Sequence, residues 1–248
     1  FAKTPTALAA FYRIRKGKKI IKPKKSLSFS ENFFYMCFGK VPSKEIVKAF
    51  DVSLILYAEH SFNVSTFTAR TITSSLSDIH GAITGAIASL KGPLHGGANE
   101  EVMHMMNKIK KPENALKWIN NALDKKEVVM GFGHRVYKSG DSRVPTMKKY
   151  FKKVAKIKKD KKFSKIYDIV EKVMIKRKNI HPNVDYPTGP TYHLMGFDTD
   201  FFTPIFVTSR ITGWSAHVME QHAANKLIRP LSKYSGPKHR KVMLLNQR

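Results

Sequence analysis

Two histidines and an aspartate stand in glycine- and proline-rich joints of this chain. The joints are Gly92-Pro93-Leu94-His95-Gly96-Gly97, Gly131-Phe132-Gly133-His134 and Pro182-Asn183-Val184-Asp185-Tyr186-Pro187-Thr188-Gly189. Such a trio suits chemistry that removes a proton from carbon and delivers one to a carbonyl oxygen. His95 lies just ahead of an expected helix start, whose dipole disfavours the imidazolium. A neutral His95 could donate a hydrogen bond to an acyl oxygen while Asp185 takes the proton. The stretch Val128 to Pro145 adds Arg143, which can clamp a carboxylate bidentately. Glycines at 131 and 133 tolerate positive φ and let another molecule approach the backbone beside His134. Two other uses stay open for these residues. One is a glycine-rich turn whose histidine is satisfied by backbone. The other is a zinc triad, against which stands the absence of an H-x-x-x-H or H-x-H pair.

Positioning these joints takes helices, and nearly every other segment reads as one. Thr4-Pro5 starts the first, with Leu8, Phe11 and Tyr12 as its apolar stripe and Gly17 as its stop. Ser30-Glu31 opens a short one ended by Gly39, and Ser43 caps the next, with Val47, Phe50, Leu54 and Ala58 at helical spacing. Ser65–Leu76, Asp78–Leu90, Ala98–Ile109 and Pro112–Leu123 follow. The glycines and alanines of Asp78–Leu90 predict close helix packing, within the subunit or, the favoured reading, at a subunit interface. Met103, Met105 and Met106 read as core. Val128–Met130 is the single extended candidate. Lysine-rich helices run from Pro145 to about Asn179. After a loop at His181–Pro190 come a short helix and a long one, Pro204–Asn225. There is no flexible linker and no internal repeat, so the expected class is all-α.

Composition narrows the setting. At 248 residues, 42% hydrophobic and 25% charged, the chain can bury a real core. Its one cysteine, Cys37, rules out an internal disulfide and fits a reducing, cytoplasmic compartment. No stretch approaches the ~20 apolar residues of a membrane span, so no membrane partner is expected. The charge is +27, with eight basic residues from Arg13 to Lys25 and fourteen from Lys148 to Lys178. Such a field attracts anions, but aromatic residues do not interleave with the lysines as a nucleic-acid stacking surface requires. Nucleic acid is therefore not an expected partner. The chain opens at Phe1 without an initiator methionine, and its basic start reads as the inside of a fold rather than a transit peptide.

Four motifs together resemble the citrate synthase family: Gly-Pro-Leu-His95-Gly-Gly-Ala-Asn-Glu, Gly-Phe-Gly-His134-Arg-Val-Tyr-Lys, Pro-Asn-Val-Asp185 and Arg210-Ile-Thr-Gly-Trp-Ser-Ala-His217. The resemblance runs from Phe1 to Gly236-Pro237. It implies an all-α homodimer whose small domain, 97–197, closes on a large domain made of 1–96 and 198–248, with part of the large domain ahead of Phe1. It implies enolisation of an acyl-CoA by Asp185 as base and His95 as hydrogen-bond donor. The enol would condense with oxaloacetate, whose carbonyl His134 protonates, and the thioester would then be hydrolysed. His60, Asn63, Arg143 and Arg210 match oxaloacetate-binding positions, and Arg229 matches an arginine that reaches the partner subunit's site. Val128 to Gly131 match an adenine-binding loop, with Lys138 and Lys178 placed for CoA phosphates.

The implied co-substrate is a CoA thioester, with no tightly bound cofactor and no metal. Asp185-Tyr186-Pro187-Thr188-Gly189 and Leu227-Ile228-Arg229-Pro230 look closer to the 2-methylcitrate branch, which takes propionyl-CoA and often acetyl-CoA. Ser142 departs from the family, which usually has proline there, and implies a looser loop for Arg143. The second reading, from another class, is a catalytically impaired basic scaffold for an anion or nucleic acid. His217 reads as a satisfied core histidine. His80, His104, His181, His193 and His222 read as structural or surface, and Arg135 as a salt-bridge or substrate residue.

Overall fold

The computed structural model describes residues 1–134, 136–137, 139–237 and 241–247. Among them there are helices and no strand. The first five helices are α1 (Lys3–Arg15), α2 (Phe29–Phe38), α3 (Lys44–Ala58), α4 (Val64–Ser74) and α5 (Ile79–Leu90). Next come α6 (Ala98–Ile109), α7 (Pro112–Asp124), α8 (Val144–Ile157), α9 (Lys162–Lys178), α10 (Asp185–Met195) and α11 (Phe202–Ala223). No helix is long and apolar enough to cross a membrane, among the described residues.

Local chemistry sets most boundaries. α2 opens two residues earlier than the sequence suggests, because Ser28 rather than Ser30 is its cap. Ser28 Oγ accepts from the Glu31 N–H and Glu31 returns a bond to the Ser28 N–H, a reciprocal capping box. The side chains of Asn63 and Asp78 cap α4 and α5 by accepting from the N–H groups of Thr66 and Gly81, without the return bond.

Two expectations fail. Val128–Met130 forms no strand, and among the described residues the only pairing nearby is an isolated bridge between Phe132 and Pro182. The expected loop His181–Pro190 is helical from Asp185 onward, two prolines included. Pro187 falls in the first turn, where a backbone N–H has no intrahelical partner to lose. Pro190 does lie inside the helix, and burial of Tyr186 and Tyr192 on either side outweighs its missing bond.

The core begins with an aromatic cluster joining α2, α3 and the segment after α10. Phe50 stacks on Phe33 at 5.4 Å and meets Phe34 and Phe197 at 5.0 and 5.7 Å. Met103, Met105 and Met106 are buried as expected. α11 is the central mast, packed on α3, α4 and α5. It crosses the end of α3 so closely that a Cβ at Gly213 would strike the Ala58 carbonyl oxygen. Gly85 of α5 lies against Ile72 of α4, so the close packing predicted for α5 is found within the chain. α6 and α8 pack on α10, and α7 on α9. These packings leave the four interhelical joints at α3–α4, α5–α6, α7–α8 and α9–α10 around one cleft.

Candidate active site

The cleft has a volume of about 870 Å³ and is lined by His60, His95, His134, Arg143, Asp185 and Arg210, each foreseen from the sequence. Its far half is a pair of joints laced together. Gly133 N–H donates to the His181 carbonyl at 2.9 Å, Asn183 N–H to the Gly131 carbonyl at 2.9 Å, and the Asn183 amide to the Gly133 carbonyl at 3.0 Å. Gly131 has φ +84°, and a Cβ there would collide with Val102 and Tyr186. Only glycine fits such a position. The expected Gly-rich turn is thus real, and it delivers His134 to the cleft.

Hydrogen bonds fix where the histidine protons sit. His134 Nδ1 accepts from the backbone N–H groups of Val136 and Tyr137 at 3.1 and 3.3 Å, which leaves the proton of a neutral ring on Nε2. That nitrogen lies 3.3 Å from His60 Nε2. His95 Nε2 accepts from the Ser65 N–H at 3.3 Å and lies 2.8 Å from the Ser65 hydroxyl, so the His95 proton sits on Nδ1. Burial, helped by the positive charge of Arg210, pushes His95 down to about 4. Burial, then Arg143, does the same for His60, also to about 4, and burial lowers His134. Neutral rings with an N–H to donate are the form that polarises a carbonyl without supplying a full charge.

Asp185 is shaped for the opposite role. Burial raises its carboxyl to about 6, against the lowering influence of the Tyr57 hydroxyl and Arg143. It is ionised at neutral pH yet far more basic than a surface aspartate.

The two arginines differ in how they are held. Arg143 grips Asp141, Nε to Oδ1 at 2.9 Å and a terminal nitrogen to Oδ2 at 2.8 Å, with the Asp141 side chain 0% exposed. Asp141 also accepts from the Val184 N–H at 3.0 Å, next to Asp185. The loop bearing Ser142 is therefore fastened rather than loose. Arg210 is 1% exposed; its Nε donates to the Tyr57 carbonyl at 2.7 Å while one terminal nitrogen, Nη1, has no partner. An unpaired buried guanidinium donor at a cleft is a ready anion site. Burial, then repulsion from Arg143, lowers Arg210 to about 10.

Other predicted residues fare differently. Asn63 reaches the cleft, but its amide is engaged by the loop itself, donating to the carbonyls of His60 and Ser61 and capping Thr66. Val128 and Gly131 line the cleft. Lys178 ends α9, exposed, and is not among the lining residues. Arg229 is exposed on the segment after α11, bonded to the Pro230 carbonyl, and lines no part of the cleft of its own subunit. Lys138 and Arg135 lie outside the described residues. His217 accepts from Arg70 at 3.0 Å and faces Glu59 at 3.0 Å, the satisfied histidine expected. Among the described residues no group of His, Cys, Asp and Glu could hold a metal ion.

Sequence reasoning missed Tyr57, Ser65, Asp141 and Phe206. Phe206 packs on Tyr57 at 4.0 Å and on His95 at 6.3 Å, with the Arg210 guanidinium over its face. The one available signal was Asp141, two residues before an arginine already singled out. Exposed Phe62, Val64, Leu94, Val128 and Val136 give the cleft an apolar rim. The arrangement unites a raised carboxylate, two neutral imidazole donors and two guanidiniums beneath an apolar mouth. It can take a proton from carbon next to a carbonyl while holding a carboxylate-bearing acceptor.

Comparison with known proteins agrees. The family model described as citrate synthase, C-terminal domain, matches residues 1–231. A citrate synthase of Mycolicibacterium smegmatis is 54% identical over 98% of this chain and 65% of its own length. A 2-methylcitrate synthase 2 of Corynebacterium glutamicum is 55% identical over 100% of this chain and 66% of its own. The chain thus spans about two thirds or less of these curated relatives. The crystal structure of citrate synthase from Thermotoga maritima superposes with a TM-score of 0.89 at 41% identity, covering 99% of this chain and 68% of that one. A Thermoplasma acidophilum citrate synthase, solved as a ternary complex with carboxymethyl coenzyme A and oxaloacetate, also gives 0.89, at 37% identity over 99% of this chain and 66% of that one.

Proposed function

The chain belongs to the citrate synthase family, and on that premise we propose that it joins an acyl-CoA to oxaloacetate, making citrate, 2-methylcitrate or both. One observation carries this reading. His95 with its proton on Nδ1, a basic Asp185 and the unpartnered Arg210 donor open onto the same cleft. The thioester carbonyl accepts a hydrogen bond from His95 Nδ1–H while Asp185 removes the α-proton. The negative charge developing on the enol oxygen is thus shared with the His95 proton, which returns to His95 when the carbonyl re-forms. The enol carbon attacks the keto carbon of oxaloacetate, whose carboxylates rest on Arg143 and Arg210. His134 Nε2–H, which His60 Nε2 faces at 3.3 Å before substrate enters, delivers the proton to the new alkoxide, while the backbone N–H groups of Val136 and Tyr137 hold the ring at Nδ1. Water then cleaves the thioester, releasing the CoA thiol and a carboxylate.

The CoA arm would enter over Val128–Gly131 and the apolar rim. The thioester is a co-substrate, and no tightly bound cofactor enters this scheme. α6 to α10 form the small domain, 97–197, of this reading, and the other helices the large one. Their packing supports the division: α6 and α8 rest on α10 and α7 on α9, while α11 joins α3, α4 and α5. The working form is a homodimer in the cytoplasm, with Arg229 serving the partner's cleft. No observation favours the basic-scaffold reading.

Thiol release from acetyl-CoA and propionyl-CoA, each with and without oxaloacetate, tests the proposal. Release should depend on oxaloacetate with at least one thioester, and no dependence with either would refute it. One methylene changes discrimination by only ~1–3 kcal/mol, so both substrates belong in the assay.

A further inference from the structure

Tyr57 lies at the end of α3, buried to 1% exposure, and its hydroxyl donates to Asp185 Oδ1 at 2.5 Å. Two further contacts of its own, and a third one turn earlier on its helix, leave it little freedom. Its ring packs on Phe206 at 4.0 Å. Its carbonyl takes the Arg210 Nε–H at 2.7 Å. Ser209 of α11 bonds the carbonyl of Leu54 one turn earlier on α3. On the other side, Asp185 is seated by the Asn183 side chain on its own N–H at 3.1 Å and by Asp141 on the N–H of Val184. No hydrogen bond among the described residues engages Asp185 Oδ2, and Asp185 lines the cleft. The two carboxylate oxygens are therefore inequivalent.

We propose that Tyr57 is a positioning residue for proton abstraction: its hydroxyl pins Oδ1 of Asp185 and leaves Oδ2 as the oxygen that takes the proton. The proposal rests on the reaction read above, in which Asp185 is the base. A carboxylate with both oxygens free rotates about its last bond, and each rotation moves the basic lone pair off the substrate's C–H axis. One short hydrogen bond from a rigid phenol removes that freedom at no cost in net charge. The same bond stabilises the ionised form, so it keeps a buried base charged. The other groups facing Asp185 are Arg143 and Asp141 ahead of α8, Arg210 of α11 and Tyr192 of α10 itself. None of these has a hydrogen bond to its carboxylate oxygens among the described residues.

The test is Tyr57→Phe, which keeps the ring and the backbone carbonyl that Arg210 uses. The titration midpoint of Asp185, followed by carbon-13 NMR of labelled aspartate and assigned with Asp185→Asn, should move up from about 6. This measurement needs no turnover, so it judges the contact even if the reaction assignment fails. In turnover, the acid limb of kcat/KM should move the same way. kcat at the wild-type midpoint should fall roughly tenfold, as for a lost hydrogen bond to a charged group, with KM for oxaloacetate unchanged. If the phenylalanine variant does not fold, 3-fluorotyrosine placed at 57 keeps the shape and strengthens the donor, so the midpoint should fall. An unmoved midpoint in either variant overturns the proposal. So does a Tyr57→Phe enzyme with a normal pH profile, or one that loses only thermal stability.

Discussion

Asp141→Asn isolates the carboxylate that holds the site together. Its side chain is 0% exposed and accepts four hydrogen bonds: Arg143 Nε and backbone N–H on Oδ1, the Arg143 terminal nitrogen and Val184 N–H on Oδ2. Asparagine retains one acceptor oxygen but turns an NH2 group toward two donors. It also leaves a guanidinium with 13% exposure without its counter-charge. Breaking a buried ion pair by removing one partner costs ~3–5 kcal/mol. At ~2–4 °C per kcal/mol for a chain of this size, the melting temperature should drop by roughly 6–20 °C. Burial alone would raise the Asp141 carboxyl, but the bonds from Arg143 win and its pKa is lowered. That stabilisation is present above the unfolded value of 3.8 and disappears only as pH falls below it, through the folded value. Urea unfolding of both proteins at neutral pH and in acid would show the gap and its closure. A neutral-pH loss below about 1 kcal/mol, the scale of an exposed pair, together with an unchanged oxaloacetate KM, would refute the reasoning.

Three other outcomes follow from the same geometry. His60 and His95, near 4 when folded against 6.5 unfolded, each take up a proton on unfolding, so they make stability rise with pH between about 4 and 6.5. Asp185, near 6 against 3.8, releases one and opposes them. Asp185→Asn should therefore steepen that rise by up to one proton, ~1.4 kcal/mol per pH unit, and equal slopes from urea midpoints across the window would contradict it. Arg210→Met removes a buried guanidinium with an unpartnered nitrogen. The variant should melt no more than a few degrees below wild type without ligand, yet lose the stabilisation that oxaloacetate gives wild type; thermal scans in which that stabilisation survives would count against Arg210 as a carboxylate clamp. Arg229→Ala and His134→Ala chains, each inactive alone, should recover thiol release when subunits are mixed and exchanged, and silence despite proven exchange would confine Arg229 to its own subunit.

The parts of this fold legible in the sequence are those with local causes. Asp78 and Gly39 announce helix ends because caps and left-handed turns are decided within a few residues, whereas the sequence reading takes Asn63 only as a substrate position and starts its helix at Ser65. The titratable joints could be found because glycine and proline interrupt helical periodicity around them. α10 was hidden for the same reason: its prolines look like loop residues until tertiary burial of Tyr186 and Tyr192 outweighs them. Tyr57 and Phe206 were invisible as site residues, since a buried aromatic on an apolar stripe looks alike whether it faces core or cleft. Ser65 sits thirty positions from the histidine it orients, and no spacing rule connects the two. Four motifs in fixed order carried the functional reading further than any one of these signals.

The lacing of the His134 and Asp185 joints has a last consequence. Stitched at Gly131, Gly133, His181 and Asn183, and tied through Asp141 to Arg143, they form one hydrogen-bonded cassette. His95, His60, Tyr57 and Arg210 are carried by the helices opposite. Among the described residues the halves are bridged at the cleft by Tyr57 to Asp185, by His60 to both His134 and the Tyr137 hydroxyl, and by Arg143 to the Leu56 carbonyl. If the cleft parts along this seam, the base is on one side and its hydrogen-bond donor on the other. The device then works as a two-key lock. In the proposed reaction neither half could enolise a thioester alone, so a substrate that had entered an open site would wait there chemically safe.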